Sequence, residues 1–367
     1  MTADKLILEV TGASGYVAGH VIQQLLDRGY RVRGTARGGK IDFLRGFWKA
    51  SPHFEAVQID DVASSDFTHA LEGVDAVLHI ALPFSGQMDP ASRIKNTIDG
   101  TLNVLRQGAA KGIKKFVLTS SWVTVLDPSM EELYQGVTFT EKSWGKASYD
   151  DLPTTGASFI EVYTTAKILD EKAAWKFGEE HPELDIATST SPIYTADSNL
   201  LTDTLPCAIC PTVSPPFIYG PPLLPLSKSA LGSVGSIYNL ISGEPGRPLP
   251  SQLFPFHIDV RDLALAHIRA LELAPLPAEA DRQKKRFLVV SPDVVTWDIA
   301  VKYLHDTRPA LRNRLPTLDK APALPGPLSR NDTTHTQEVL GLTEFIGWRK
   351  TFDDTVDALL EAEKTWA

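Results

Sequence analysis

The stretch Val10-Thr11-Gly12-Ala13-Ser14-Gly15-Tyr16-Val17-Ala18 constrains this chain more than any other segment. Before it runs Lys5 to Val10, rich in Leu, Ile and Val, which reads as a buried strand. After it, Val17, Val21, Ile22, Leu25 and Leu26 recur at helical spacing until Gly29 stops the helix at about Arg28. Gly12 permits a tight turn, Gly15 lets the backbone approach a pyrophosphate, and Ala18 is small enough for helix and strand to pack closely. The helix N-terminus offers unbonded N–H groups and a partial positive charge to an anion. Gly12, Ser14, Gly15, Tyr16 and Val17 are therefore candidate contacts for the phosphates of a dinucleotide.

The same rhythm continues downstream. Strands are expected at Tyr30 to Ala36, Glu55 to Ile59, Ala76 to Ala81, Lys115 to Thr119 and Leu184 to Thr188. Helices are expected at Ser65 to Leu71, Ile94 to Lys111 and about Ser158 to Glu180. Such alternation predicts an α/β fold of Rossmann type, a doubly wound parallel sheet with helices on both faces. Beyond Pro221 the pattern weakens into Pro- and Gly-rich stretches with scattered helices, as suits a smaller, mostly C-terminal substrate-binding lobe. A chain of 367 residues has room for both. The expected division gives 1–188, 211–220 and 254–291 to the nucleotide-binding domain, 221–253 and 292–367 to the lobe, and sets 189–214 aside as an atypical insertion.

In dinucleotide-binding proteins that prefer NAD, an acid at the end of the second strand accepts the ribose 2′-hydroxyl. This chain has none there; Arg37 stands just past the strand end and Lys40 follows. A guanidinium binds a 2′-phosphate through a charge-assisted fork, whereas a carboxylate repels it, so NADP(H) is the expected cofactor. Arg33 alternates away from Arg37 and reads as a solvated surface cation. Asp61 and Val62 follow the third strand, where adenine is expected. Ala81 and Pro83 follow the fourth, along the pyrophosphate path.

Tyr163-Thr164-Thr165-Ala166-Lys167 places a phenol and an ammonium on one face of the long helix. Reduction of a carbonyl requires a proton for the developing alkoxide, and a phenol with a pKa of about 10 serves poorly unless a nearby cation stabilises its phenolate. Lys167 supplies that cation. A second donor is expected at a strand end facing the same oxygen, and Phe116 to Ser121 ends a strand in the hydroxyls Ser120 and Ser121.

A formal net charge of −9, with no concentrated basic surface, argues against nucleic acid as a partner. A small carbonyl or alcohol is the expected partner instead. The start lacks the charged and apolar regions of a secretory signal, and no segment is apolar for long enough to cross a bilayer, so the expectation is a cytosolic protein without a membrane role. Cys207 and Cys210 form a lone C-x-x-C. Without a second Cys or His pair at ligand spacing, neither a zinc site nor a redox site is expected there.

On these motifs, together with Asp99 to Leu105, Pro215-Pro216-Phe217-Ile218-Tyr219-Gly220-Pro221 and Asp259 to Ala264, the chain resembles the extended short-chain dehydrogenase/reductase superfamily. Within it the likeness is to dihydroflavonol reductase-like enzymes, including fungal aldehyde and ketone reductases of the methylglyoxal-reductase type. That resemblance implies NADPH-dependent reduction of an aldehyde or ketone, reversibly. It makes Ser121 the catalytic serine and Ser120 structural, Tyr163 the proton donor, Lys167 its tuner and a ribose ligand, and Arg37 a 2′-phosphate ligand. Pro215 and Phe217 would abut the nicotinamide, while Asp259 and Arg261 join sheet to lobe. His257 is a weaker candidate base, because Tyr163 fills that role. Two alternatives stay open: an NAD-dependent nucleotide-sugar epimerase or dehydratase, against which Arg37 speaks, and a non-catalytic NADP-sensing regulator, against which the Tyr163–Lys167 pair speaks.

One departure from that resemblance is large. In the family, the strand ending at Asp185 to Thr188 runs almost directly into the Pro-Pro-Phe segment, and here Ser189 to Ser214 intervene. The stretch is polar, Pro-bearing and aperiodic, which suggests a retained intron translated in frame, with a surface loop as the alternative. Sequencing the transcript separates the two.

Overall fold

The computed structural model describes residues 7–83, 88–149, 156–181, 211–274, 282–317 and 324–366. The expected alternation produces β1 (Ile7–Thr11), α1 (Tyr16–Asp27), β2 (Arg31–Ala36), α2 (Lys40–Phe47), β3 (Phe54–Gln58), β4 (Ala76–His79), α3 (Pro90–Ala110) and β5 (Lys115–Thr119). A short β6 (Thr138–Phe139) precedes the long α4 (Phe159–Glu180), which leads to β7 (Thr212–Ser214), β8 (Phe217–Tyr219) and α5 (Val234–Ile241). The chain closes with β9 (His257–Asp259), α6 (Val260–Glu272), β10 (Arg286–Leu288), α7 (Trp297–Thr307), β11 (Arg330–Asn331), α8 (Thr334–Leu340) and α9 (Trp348–Glu363). Seven strands form one sheet in the order β10-β7-β5-β4-β1-β2-β3, every pairing parallel. This is the doubly wound arrangement, in which the strand order reverses between β1 and β4 and opens a crevice at the strand ends.

Alternation along each strand supplies both faces. Val10 and Val117 pack with Val21, Leu25, Leu263 and Ile268 beneath α1 and α6. Val77 and Phe116 pack with Val104, Leu105, Ala174 and Phe177 beneath α3 and α4. A third cluster packs α5, α7 and α9 with Tyr219. No helix among the described residues is long and apolar enough to cross a membrane.

Four readings of the sequence need correction. Ser65 to Leu71 forms turns, not a helix. There the Ser65 hydroxyl accepts from the N–H groups of Asp60 and Asp61, while Asn103 and Gln107 of α3 bind the Val62 and Ser65 carbonyls; side-chain bonds replace the helical ones. Thr212–Ser214 is a core strand beside β5, so the end of the supposed insertion belongs to the sheet. The strand expected at Leu184 to Thr188 lies outside the described residues, as do Cys207 and Cys210. Lys40 opens a helix, α2, that was not foreseen. Arg33 is no solvated cation: it pairs with Glu55 at 2.8 Å and donates to the Ala70 and Glu72 carbonyls, fastening β2 to the turn before β4.

Glu9 on β1 is fully buried and accepts a hydrogen bond from Thr35 at 2.7 Å. Burial pushes its carboxyl up to about 8, against the lowering effects of Thr35 and Arg33. The folded state thus binds a proton that the unfolded chain releases near pH 4.5, and this stability, complete below that pH, is lost as pH rises through 8. Glu9→Gln should therefore become increasingly stabilising relative to wild type between pH 6 and 9, by about 2 kcal/mol. Urea denaturation at the two pH values reads the difference.

Candidate active site

The glycine turn is held by neighbours on two strands. Gly12 lies in the left-handed region at φ 67°, and a Cβ there would come within 3.0 Å of Ala81 Cα, so only glycine allows the end of β4 to approach the turn. The Thr11 hydroxyl draws the two together by accepting from the N–H groups of Ile80 and Ala81, each at 2.9 Å. With its lone pairs used, it donates to Nδ1 of His79 at 2.9 Å, which leaves the other ring N–H for Thr101. Burial holds His79 down at about 4, so the ring is neutral near pH 7.

At α1 the N-cap is Gly15, with no side-chain cap and no acid in the first turn. A Cβ at Gly15 would meet the Gly12 carbonyl at 3.0 Å. The first-turn N–H groups thus face a cradle closed to side chains, which fits a phosphate. Tyr16 serves differently from expectation: its hydroxyl donates to the Gly220 carbonyl at 2.7 Å, and His20 bonds the Pro221 carbonyl at 2.8 Å. These bonds fasten the helix to the segment after β8, leaving only the backbone of Tyr16 for a nucleotide.

Arg37 lies exposed just past β2, and Lys40 is exposed at the start of α2. Asp61 spends one carboxylate oxygen on the Ala63 N–H at 2.6 Å, shaping the turn after β3. Val62 and Pro83 both reach towards Gly100 of α3, where a Cβ would meet Pro83 at 3.1 Å and Val62 at 3.4 Å. The expected adenine and pyrophosphate flanks are therefore adjacent.

The end of β5 meets the middle of α4. Ser158 caps this helix through a reciprocal box with Glu161, worth about 1 kcal/mol, and so fixes where the first turn begins. Tyr163 stacks on Phe159 and packs beside the cluster of Trp122, Phe139, Phe217, Phe254 and Phe256. Lys167, one turn on, is buried and donates to the Thr119 carbonyl at 3.2 Å and to Asp170 at 2.9 Å. Of the three donors on an ammonium, these use two. Ser120 donates to Glu171 at 2.6 Å, whereas the buried Ser121 opens the next turn. The backbone N–H of Trp122 donates to the Pro215 carbonyl at 2.8 Å, so this strand end also carries the segment leading to Phe217.

A family model described as the NAD dependent epimerase/dehydratase family matches residues 8–190. An uncharacterized protein of Schizosaccharomyces pombe, named as an oxidoreductase, is 32% identical over 291 residues, covering 74% of this chain and 75% of that protein. The chain belongs to the NAD dependent epimerase/dehydratase family. Aldehyde reductase 2 of Sporidiobolus salmonicolor is 29% identical over 96% of this chain and 95% of its own length. Among solved structures, Gre2 of Candida albicans in complex with NADPH superposes with a TM-score of 0.78 at 26% identity, covering 97% of this chain and 99% of that one.

In this epimerase/dehydratase-family chain the electrostatics of α4 centre on groups that sequence reasoning missed. Burial works to lower the Lys167 ammonium, yet Asp170 first and Tyr163 next outweigh it and hold the ammonium above its ordinary range. Burial likewise works to raise Glu171, and the Arg286 guanidinium, 2.9 Å away, outweighs it and holds the carboxyl below the usual range. Asp170 and Glu171 stand three and four residues after Lys167, the spacing that puts side chains on one helix face. That spacing was visible in the sequence; Arg286, from a distant strand, was not. His257 is buried at the start of β9, and neither ring nitrogen has a partner among the described residues. Burial lowers it to about 4, so the ring is neutral near pH 7, and in the β8–β9 pair it lies in register with Phe217. Arg261 joins Asp259 of β9 to Asp354 of α9.

Proposed function

We propose that this chain is an NADPH-dependent reductase that converts an aldehyde or ketone to the alcohol, reversibly, with Tyr163 as proton donor. The observation that carries the reading is the Tyr163–Lys167 pair anchored at the end of β5, on the crevice edge that also bears the glycine-lined start of α1. The relative named as an aldehyde reductase and the neighbour solved with NADPH support it.

A nicotinamide nucleotide, when bound, supplies the hydride. The N–H groups from Gly12 to Val17 would hold its phosphates, with Ser14 beside them and Ala81 and Pro83 along their path. Arg37 and Lys40 would hold the 2′-phosphate, Asp61 and Val62 would border the adenine, and Pro215 and Phe217 would flank the nicotinamide. The remaining Lys167 donor would meet a ribose hydroxyl. Tyr163 gives its proton to the substrate oxygen as negative charge develops there, Ser121 donates a hydrogen bond to the same oxygen, and the Lys167 ammonium stabilises the phenolate left behind. The aromatic cluster around Trp122 keeps one side of Tyr163 dry.

The test is NADPH consumption over aromatic aldehydes, diketones and keto esters; binding of NADPH without turnover of any of them would favour a sensing role and overturn the proposal. Arg37→Ala should raise KM for NADPH about 10- to 100-fold, the value of hydrogen bonds to a charged group, and barely change KM for NADH. Equal effects on both would remove Arg37 from 2′-phosphate recognition.

A further inference from the structure

We propose that Asp170 is a positioning residue of this reductase: its carboxylate holds the Lys167 ammonium at the end of β5 and offsets its charge, so that it sets how much positive charge faces Tyr163. The inference rests on the reading of Tyr163 and Lys167 as the proton-transfer pair.

Lys167 and Asp170 are nearly sealed from solvent, with side-chain exposures of 5% and 7%. Burying an ion pair costs desolvation on both partners, and an apolar pair of similar size commonly serves stability as well or better. The pair is also imperfect, because Asp170 Oδ1 has no hydrogen-bond partner among the described residues. Stability alone therefore accounts poorly for the carboxylate. A lysine that only gripped a ribose and steadied a phenolate would need no anion behind it, and the anion opposes the second task.

The surroundings leave Asp170 in control of the local charge. From β4, His79 is neutral, its ring bonded by Thr11 and by Thr101 of α3. On α4 itself, Glu171 is matched by Arg286 of β10. Tyr149, ahead of α4, is held above its ordinary range by burial and then by Asp170 and Asp99, against Lys95. A cavity of about 10 Å³ beside His79, Thr101, Lys167 and Asp170 has room for one water-sized group at most, so bulk solvent does not screen the pair. With Asp170 present, the charges of Lys167, Asp170, Glu171 and Arg286 sum to zero; without it, one positive charge is left facing Tyr163.

The experiment is the pH profile of kcat/KM for NADPH-dependent reduction in wild type, Asp170→Asn, Asp170→Glu and Tyr163→Phe. Reduction needs the protonated phenol, so the alkaline limb of the profile is the part that reads the charge facing it. Asp170→Asn should move that limb to lower pH by about one unit, because the unopposed ammonium favours phenolate. Asp170→Glu, which keeps the charge, should stay near wild type. A packing role predicts the reverse order, since asparagine matches aspartate in size and glutamate does not. Asp170→Ser removes the charge with a smaller side chain and carries the same expectation should the asparagine variant fold poorly. An alkaline limb unmoved in the charge-removing variants overturns the proposal. Wild-type turnover by Tyr163→Phe would instead sink the underlying assignment of the proton donor.

Discussion

Replacing Tyr163 with phenylalanine should lower kcat for carbonyl reduction by about 100- to 10,000-fold, the usual contribution of a positioned general acid. The change deletes one oxygen and keeps the ring that stacks on Phe159 at 6.2 Å and packs beside the Trp122 cluster. Fold and nucleotide binding should therefore survive, and NADPH affinity, followed by quenching of protein fluorescence, should stay within about fivefold of wild type, since one hydrogen bond is worth about 1 kcal/mol or less. A loss confined to kcat marks an interaction made in the transition state. A phenylalanine variant that reduces the same carbonyls at the wild-type rate would remove Tyr163 from the chemistry.

The second large effect is on stability. Arg286 is fully buried on β10; its guanidinium donates to Glu171 at 2.9 Å, to Thr124 at 2.8 Å and to the carbonyls of Glu141 and Ser143, and it lies 3.7 Å over the Trp144 ring. One side chain thus fixes α4, the turn after β5 and the loop through Trp144 to the same strand. Arg286→Met would leave Glu171 buried with the Ser120, Thr212 and Thr124 hydroxyls but no cation to compensate it. The expected cost is about 3 to 5 kcal/mol, the range for breaking a buried pair, with a fall in Tm on the order of 10 °C. Removing the carboxylate as well, in Arg286→Met with Glu171→Met, should recover part of that loss, because no uncompensated charge remains buried. The sign with pH is also defined. Glu171 now sits below its ordinary range, so its contribution holds above the unfolded carboxylate pKa and is lost on acidification. In Arg286→Met the same carboxyl should rise instead, and the deficit against wild type should shrink towards pH 5. A single variant that unfolds at the wild-type urea midpoint would show that the cluster carries no net stability.

Much of the fold follows from local pattern. The turn from Gly12 to Ala18, the helical spacing of Val17 to Leu26 and the apolar run of Lys115 to Thr119 each need only neighbours in the chain to declare their conformation, and all three appear where expected. Tyr163 and Lys167 are legible for the same reason, because four residues along a helix fix a shared face. Ser65 to Leu71 misled because its local preference was overridden by Asn103 and Gln107 from another helix.

The sequence by itself therefore determined the parallel α/β architecture, the glycine turn and the phenol–ammonium pair, since each is a short-range pattern of size and polarity. Tertiary structure alone decided that Thr212–Ser214 lies beside β5, that Tyr16 ties α1 to Gly220, and that Arg286 meets Glu171 across 115 positions. Such pairings depend on which surfaces the folded sheet brings within a few ångströms, where burial strengthens a charge contact that water would screen, and residue spacing along the chain carries no record of that distance.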